Sequence, residues 1–244
     1  MAKIAKESND DIFGGSTTWI IALAALLILF NQIQLFQLSS MLGAPVSLGG
    51  TSTNVVLLSN PDLDGVDVST IKSSAQGVAA VIDLSEAKDA QGVIDAMVPR
   101  GTPEYGKELG ISYDDPVTAL QFLAYKLYPA IKQDVQTNDP ETWNRYIALA
   151  TKPVGISCEY CCGVGPITIT EQGQLTCGCS HAPAIHAITL YLMKNTDMND
   201  AEVLREALRW KTLWFPKNMV EIGVKLVGGD ASVLADAPSM VGGC

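Results

Sequence analysis

The chain has 244 residues, of which 48% are apolar, and a formal net charge of −10 with a sequence pI of about 4.6. That length supports one sizeable domain or two small ones. The acidic balance excludes a nucleic-acid partner, because phosphate binding needs clustered Lys and Arg, and it argues equally against docking on anionic lipid.

Residues 1–16 mix Lys3 and Lys6 with Glu7, Asp10 and Asp11. From Trp19 to Phe30 the chain is apolar without a break, and no charge falls between Asp11 and Asp62. A helix needs about 20 residues to cross the hydrocarbon core. The pattern predicts a transmembrane anchor over 17–38, with Trp19 at the near interface and Asn31, Gln32, Gln34 and Gln37 toward the far one. A cleaved signal peptide ending at Ala44 and a pilin-like amino-terminal helix are the competing readings; the acidic residues beside Lys3 and Lys6 suit a signal peptide poorly. Lys3 and Lys6 precede the span and the next Lys is Lys72. Positive-inside logic therefore puts the amino terminus in the cytoplasm and the remainder outside the cell membrane, on the oxidising side.

A small, Gly-rich stretch, 39–54, reads as a flexible linker to an extracytoplasmic domain over 55–228. "TNVVLLSN" opens it as a short strand. "NPDLDGVD" starts like a calcium loop, but Ile71 stands where the closing Glu belongs, so an acidic turn is expected. Residues 69–98 give no clear period, and "VPRGTPEYGKELGISYDD" reads as loop. Asp115 then caps a helix with Pro116 at its first position and Leu120, Leu123, Ala124, Leu127 and Ile131 on one face, with Pro129 late in it. Asp139 and Pro140 repeat the device, with Trp143, Ile147 and Ala150 sharing a face. A further helix buries Ile185, Ile188 and Leu192. The last opens with a capping box, Asn199 and Glu202, and lines up Val203, Ala207, Trp210 and Trp214. Residues 229–244 form a tail ending in Cys244. The expected fold class is mostly α (α+β): an amino-terminal transmembrane helix and a helical domain carrying a Cys-rich β-hairpin.

That hairpin is predicted over 157–181, which holds five of the six cysteines and one of the two histidines. The order is Cys158-x2-Cys161-Cys162, fourteen residues, then Cys177-x-Cys179-x-His181. Ile167 and Ile169 alternate with threonines and Gly173 supplies a turn, so the two clusters should meet. Cys158, Cys161, Cys177 and Cys179 would supply four metal ligands, with Cys162 and His181 in reserve. The spacing resembles a zinc-ribbon pattern, departing from it in the C-x-C pair and the extra Cys162. "CGC" followed by His is similar to short copper-binding motifs of exported proteins, and four thiolates also suit an iron–sulfur cluster. The expected cofactor is thus zinc, copper or an iron–sulfur cluster.

Two other readings stand beside it. Outside the cell, neighbouring cysteines pair as structural staples, with Cys244 reaching back or joining a second copy of the chain or another disulfide partner. Such a stapled chain could be a surface or filament-forming, pilin-like subunit. "CEYC" also has the C-x2-C form of dithiol oxidoreductases, which would make Cys158 and Cys161 catalytic. Cys177 and Cys179 precede a helix expected to be capped by Ser180 or His181, and the positive helix end favours thiolate on any of these readings. His181 is a candidate ligand or proton shuttle; His186, on a face with Leu190 and Met193, reads as a core histidine. No hydrolase elbow, P-loop, zincin or dinucleotide motif occurs. The function expected from sequence is soft-metal or cluster binding by a membrane-anchored protein, enzymatic only if it is a thiol–disulfide oxidoreductase.

Overall fold

The computed structural model describes residues 63–151, 156–157, 159–160, 167–234 and 236–242. The predicted anchor, linker and first strand lie outside them, as do Cys158, Cys161, Cys162 and Cys244. Among the described residues the fold is helical, with no β-strand and no helix long and apolar enough to cross a membrane.

The helices begin where short polar side chains satisfy their first amides. Ser73 caps α1 (Ser74–Val81) and Asp89 caps α2 (Ala90–Met97), each accepting from a backbone N–H three residues on. The helix α3 (Glu104–Leu109) ends on Gly110 in the left-handed region, with φ of 68°. Asp115 and Asp139 accept from Thr118 and Thr142 backbone N–H groups at 3.1 Å, opening α4 (Pro116–Phe122) and α6 (Pro140–Ala150) as the sequence predicts. Between them a π turn, Leu123–Leu127, leads into α5 (Tyr128–Asn138). Pro129 therefore does not end the helix. A widened turn before it relieves the clash between its ring and the preceding carbonyls.

The long helices carry the core. In α7 (His181–Asn195) twelve of the fifteen residues are buried, so it has almost no solvent face and serves as the axis of the domain. It packs on α4, the π turn, α5, α6 and α8 (Asp200–Trp214). The predicted capping box of α8 is formed: Asn199 Oδ1 accepts from Glu202 N–H and Glu202 Oε2 from Asn199 N–H, both at 2.9 Å. α1 packs on α8 and α9 (Pro216–Leu226), and α2 on α9. The acidic turn near residue 64 behaves as one: Asp64 accepts from Asn199 Nδ2 at 3.0 Å, and Asp67 accepts from Ser69.

Two expectations change. The stretch read as loop before Asp115 contains α3, and 69–98 contains α1 and α2. On α6 the fully buried face is Tyr146, Leu149 and Ala150, while Trp143 and Ile147 pack at its margin.

The buried carboxylate of Glu206, on α8, ties α3 and the following loop to the core. Its Oε2 accepts from the Tyr105 hydroxyl at 3.0 Å and the Tyr113 hydroxyl at 2.5 Å, and Arg209 donates to Oε1 at 2.7 Å. Trp210 Nε1–H donates to the Tyr105 oxygen at 2.9 Å. Burial, followed by the Glu206 charge, pushes both phenols far above the ordinary tyrosine range, so they stay neutral donors. Glu206→Ala should cost about 2–3 kcal/mol, since it removes the charged acceptor of two buried hydroxyls that, 3.1 Å apart, are left to bond only each other, whereas Tyr113→Phe should cost about 1 kcal/mol. Urea denaturation midpoints of the two variants measure the difference.

Candidate thiol site

The Cys-rich segment is fastened to α7 by a chain of buried polar groups. His186 is fully buried; its Nδ1 lies 2.9 Å from the Tyr146 hydroxyl and its Nε2 3.2 Å from Thr168 Oγ1. Thr168 Oγ1 is in turn 2.9 Å from Ser157 Oγ, which also accepts the Thr168 N–H at 3.0 Å. Thr176 N–H donates to the Thr168 carbonyl at 2.9 Å. Ser157, Thr168 and Thr176 thus stand side by side, and each of the outer two is the covalent neighbour of a cysteine, Cys158 and Cys177. His186 acts as the satisfied core histidine the sequence suggests.

The chain reverses between Thr170 and Gln174. Thr170 N–H donates to Gln174 O and Gly173 N–H to Thr170 O, at 2.9 and 2.8 Å. Gly173 has φ of 75°, and a Cβ there would come within 2.5 Å of the Trp143 ring. Pairing amounts to one antiparallel bridge, Ile169 to Leu175, so the predicted β-hairpin is not present as a pair of strands among the described residues.

Cys177 and Cys179 are both buried. Cys177 is disulfide-bonded, while Cys179 carries a thiol. The Cys179 sulfur lies 3.3 Å from Cys177 Sγ. Ser180 holds the N-cap position of α7 without accepting a capping bond from the helix, and α7 begins at His181.

His181 is fully buried, against Trp214 and Phe215 with ring centroids 5.8 and 4.7 Å away. Its Nε2 is 2.9 Å from the Val241 carbonyl. A carbonyl only accepts, so Nε2–H is the donor of this bond. Its Nδ1 is buried with no hydrogen-bond partner. Phe215 also meets Tyr160, at 5.2 Å between centroids, so one ring touches both halves of the segment. Glu159 and Tyr160, the two residues between Cys158 and Cys161, lie on α8 and α9. Glu159 accepts from Ser74 Oγ and is 3.8 Å from Lys211 Nζ, and Tyr160 donates to Met219 Sδ at 3.3 Å. Burial, then the Glu159 carboxylate, raises the Tyr160 phenol above its ordinary range.

Among the described residues no three His, Cys, Asp or Glu side chains are grouped to hold a metal ion. Lys211, Glu159 and Phe215 are site residues that the sequence reading missed. The available signal was a Lys set between Trp210 and Trp214 in the buried stripe of α8. The chain matches no family model, and no curated protein or solved structure is significantly similar to it. Fold and site together define a helical domain with a Cys-rich segment pinned across its central helix.

Burial, assisted by Lys132, lowers the His186 pKa to about 3. In the unfolded chain it would titrate at about 6.5. As pH falls from about 6.5 to about 3 the unfolded state gains a proton that the folded state refuses, so stability falls by up to about 1.4 kcal/mol per pH unit. His186→Asn should lack that component of the slope. Denaturation midpoints between pH 3 and pH 7, for parent and variant, provide the comparison.

Proposed function

We propose that the chain is a membrane-anchored extracytoplasmic protein whose Cys-rich segment carries out thiol–disulfide exchange. The observation that carries this is the Cys179 thiol 3.3 Å from Cys177 Sγ, which is already half of a disulfide. Reacting atoms about 3–3.5 Å apart are at near-attack distance. The deprotonated Cys179 sulfur attacks Cys177 Sγ and a Cys177–Cys179 bond forms. The bond from Cys177 to its former partner breaks, and that partner leaves as a thiolate, which can take up the proton Cys179 released. No electrons are gained or lost. The released thiolate can then attack a disulfide of a client protein, forming a mixed disulfide and expelling one client sulfur as thiolate.

Three further features support the reading. The cysteines precede the N-terminus of α7, whose positive end favours thiolate. The reversal at Thr170–Gln174 serves on this reading as the tip of a short hairpin that brings the two cysteine clusters together. A disulfide at Cys177 suits the oxidising side of a membrane, where the apolar run at 17–38 would anchor the domain.

One observation favours a second reading, soft-metal binding by the reduced segment. His181 donates Nε2–H to a backbone carbonyl and keeps Nδ1 bare, the arrangement common to metal-ligating histidines. With Cys179 two residues before it, the donor set is mixed nitrogen and sulfur, which suits zinc or copper better than an iron–sulfur cluster.

Insulin reduction by the full-length chain, with dithiothreitol as electron source, tests the first reading. Cys179→Ser should lower the rate at least about tenfold, and His181→Ala should leave it within about threefold. No reduction above the dithiothreitol background would sink the exchange reading. Stoichiometric zinc or copper on the anaerobically reduced chain, lost in His181→Ala, would establish the second.

A further inference from the structure

Residues 236–242 lie across the junction of α8 and α9 and are held there by their backbone. Val241 N–H donates to the Trp214 carbonyl at 2.8 Å, and Lys217 N–H donates to the Pro238 carbonyl at 3.2 Å. His181 Nε2–H donates to the Val241 carbonyl at 2.9 Å. Trp214 ends α8, and Lys217 is the second residue of α9. The last carbonyls and first amides of a helix have no partner within it, so this junction presents an acceptor and a donor to any chain that crosses it. The side chains of the crossing segment contribute little. Pro238, Ser239 and Met240 are exposed, and Ala237 and Val241 are only partly buried. Gly242 matters for what it lacks: its φ is 79°, and a Cβ there would come within 2.5 Å of Leu120 Cδ2. The contact therefore selects an extended backbone, a free amide at the position of Val241 and no side chain at the next.

We propose that the α8–α9 junction, with His181 at its edge, is a docking seat for an extended segment of a client polypeptide, and that the chain's own carboxy-terminal strap fills it at rest. The inference rests on the thiol exchange proposed above, which calls for a client. A site that serves varied clients must recognise what they share, and that is main chain; main-chain hydrogen bonding to an extended segment is a recurrent means of doing so. The seat adjoins the thiol. His181 is two residues beyond Cys179, so their Cα atoms are at most about 7 Å apart. A client in place of the strap would accept from His181 and run alongside Cys179. The strap is suited to being displaced, since three backbone hydrogen bonds and little buried side chain are a hold that another segment can match. Its advantage is that it belongs to the same chain, which keeps it at a local concentration of about millimolar and excludes weak competitors.

The test keeps the chain at full length. Gly242→Val should expel the strap by its clash with Leu120, and Val241→Pro should do so by removing the N–H that the Trp214 carbonyl accepts. The probe is a fluorescein-labelled, amidated peptide with the sequence of residues 237–242, Ala-Pro-Ser-Met-Val-Gly, followed by fluorescence anisotropy. It should bind either variant at least about tenfold more tightly than the parent, the shift expected if the strap fills the parent's seat about nine-tenths of the time. Replacing the peptide's glycine by valine should abolish binding, and replacing its methionine by lysine should leave binding nearly unchanged. Insulin reduction should be several-fold faster in both variants. Equal peptide affinity in parent and variants would overturn the inference, and if one variant does not fold the other decides alone. A strap whose release unfolds the chain is structural, so unfolding of both variants overturns it as well. Tighter peptide binding with an unchanged rate of insulin reduction would overturn the client role. Tighter peptide binding with no insulin reduction in parent or variants would remove the exchange function and leave the seat. Insulin reduction with no gain in peptide binding would do the reverse.

Discussion

A neutral imidazole in the centre of the domain fixes where Ser157, Thr168 and Thr176 of the Cys-rich segment sit. His186 has no contact with water, so both its nitrogens must find partners inside the protein, and leaving either unmet would cost about 1–3 kcal/mol. Tyr146 on α6 meets one, and Thr168 in the Cys-rich segment meets the other. Thr168 then binds Ser157 through its hydroxyl and its amide, and receives Thr176 on its carbonyl. The polar requirement of one side chain is therefore passed along four residues. It determines which positions of the segment stand next to one another before any sulfur chemistry takes place. Gly173 completes the placement by letting the turn close under Trp143.

A second constraint comes from α8, which delivers two buried charges. Glu206 and Lys211 are five residues apart, roughly 140° around a helix of 3.6 residues per turn. One therefore faces the tyrosines of α3 and its following loop, while the other faces α1 and the segment between Cys158 and Cys161. Each charge is met by partners from a different part of the chain. Rotating or shifting α8 would break both sets at once, so the helix couples the packing of the amino-terminal helices to the geometry of the thiol site. Phe215, at the junction of α8 and α9, extends this coupling to His181.

Much of this was readable before any coordinates. Asp115, Asp139 and Asn199 announce their helices because a capping side chain is a local device, and local devices survive tertiary context. The stripe Val203, Ala207, Trp210 and Trp214 is buried as its period requires. The helices α1 and α2 were not legible: each has eight residues, with an internal glycine and many alanines, and such weak periods reveal little without the surface they cover. The cap residues Ser73 and Asp89 were the signal available there. The cluster of cysteines was obvious, yet its chemical state was not, because the same spacing serves ligands, staples and exchange. Lys211 was hidden for another reason. A lysine at the edge of an apolar stripe ordinarily runs its stem along the core and keeps its ammonium in water, and only the fold shows that this one does not.

The two functions proposed for the site make opposite demands on one atom. A metal takes a thiolate lone pair, and Cys177 in a disulfide has no thiolate to give. Exchange needs that same disulfide intact beside Cys179. The segment cannot use Cys177 for both at once, so its redox state would decide which chemistry is open. Oxidised, it offers a disulfide within reach of a thiol. Reduced, it would offer thiols ahead of the α7 N-terminus, two residues along the chain from a histidine whose Nδ1 has no hydrogen-bond partner. Neither His186 and its hydroxyl chain nor the Lys211–Glu159 pair contains sulfur, so none of these contacts has to break for the disulfide to be reduced.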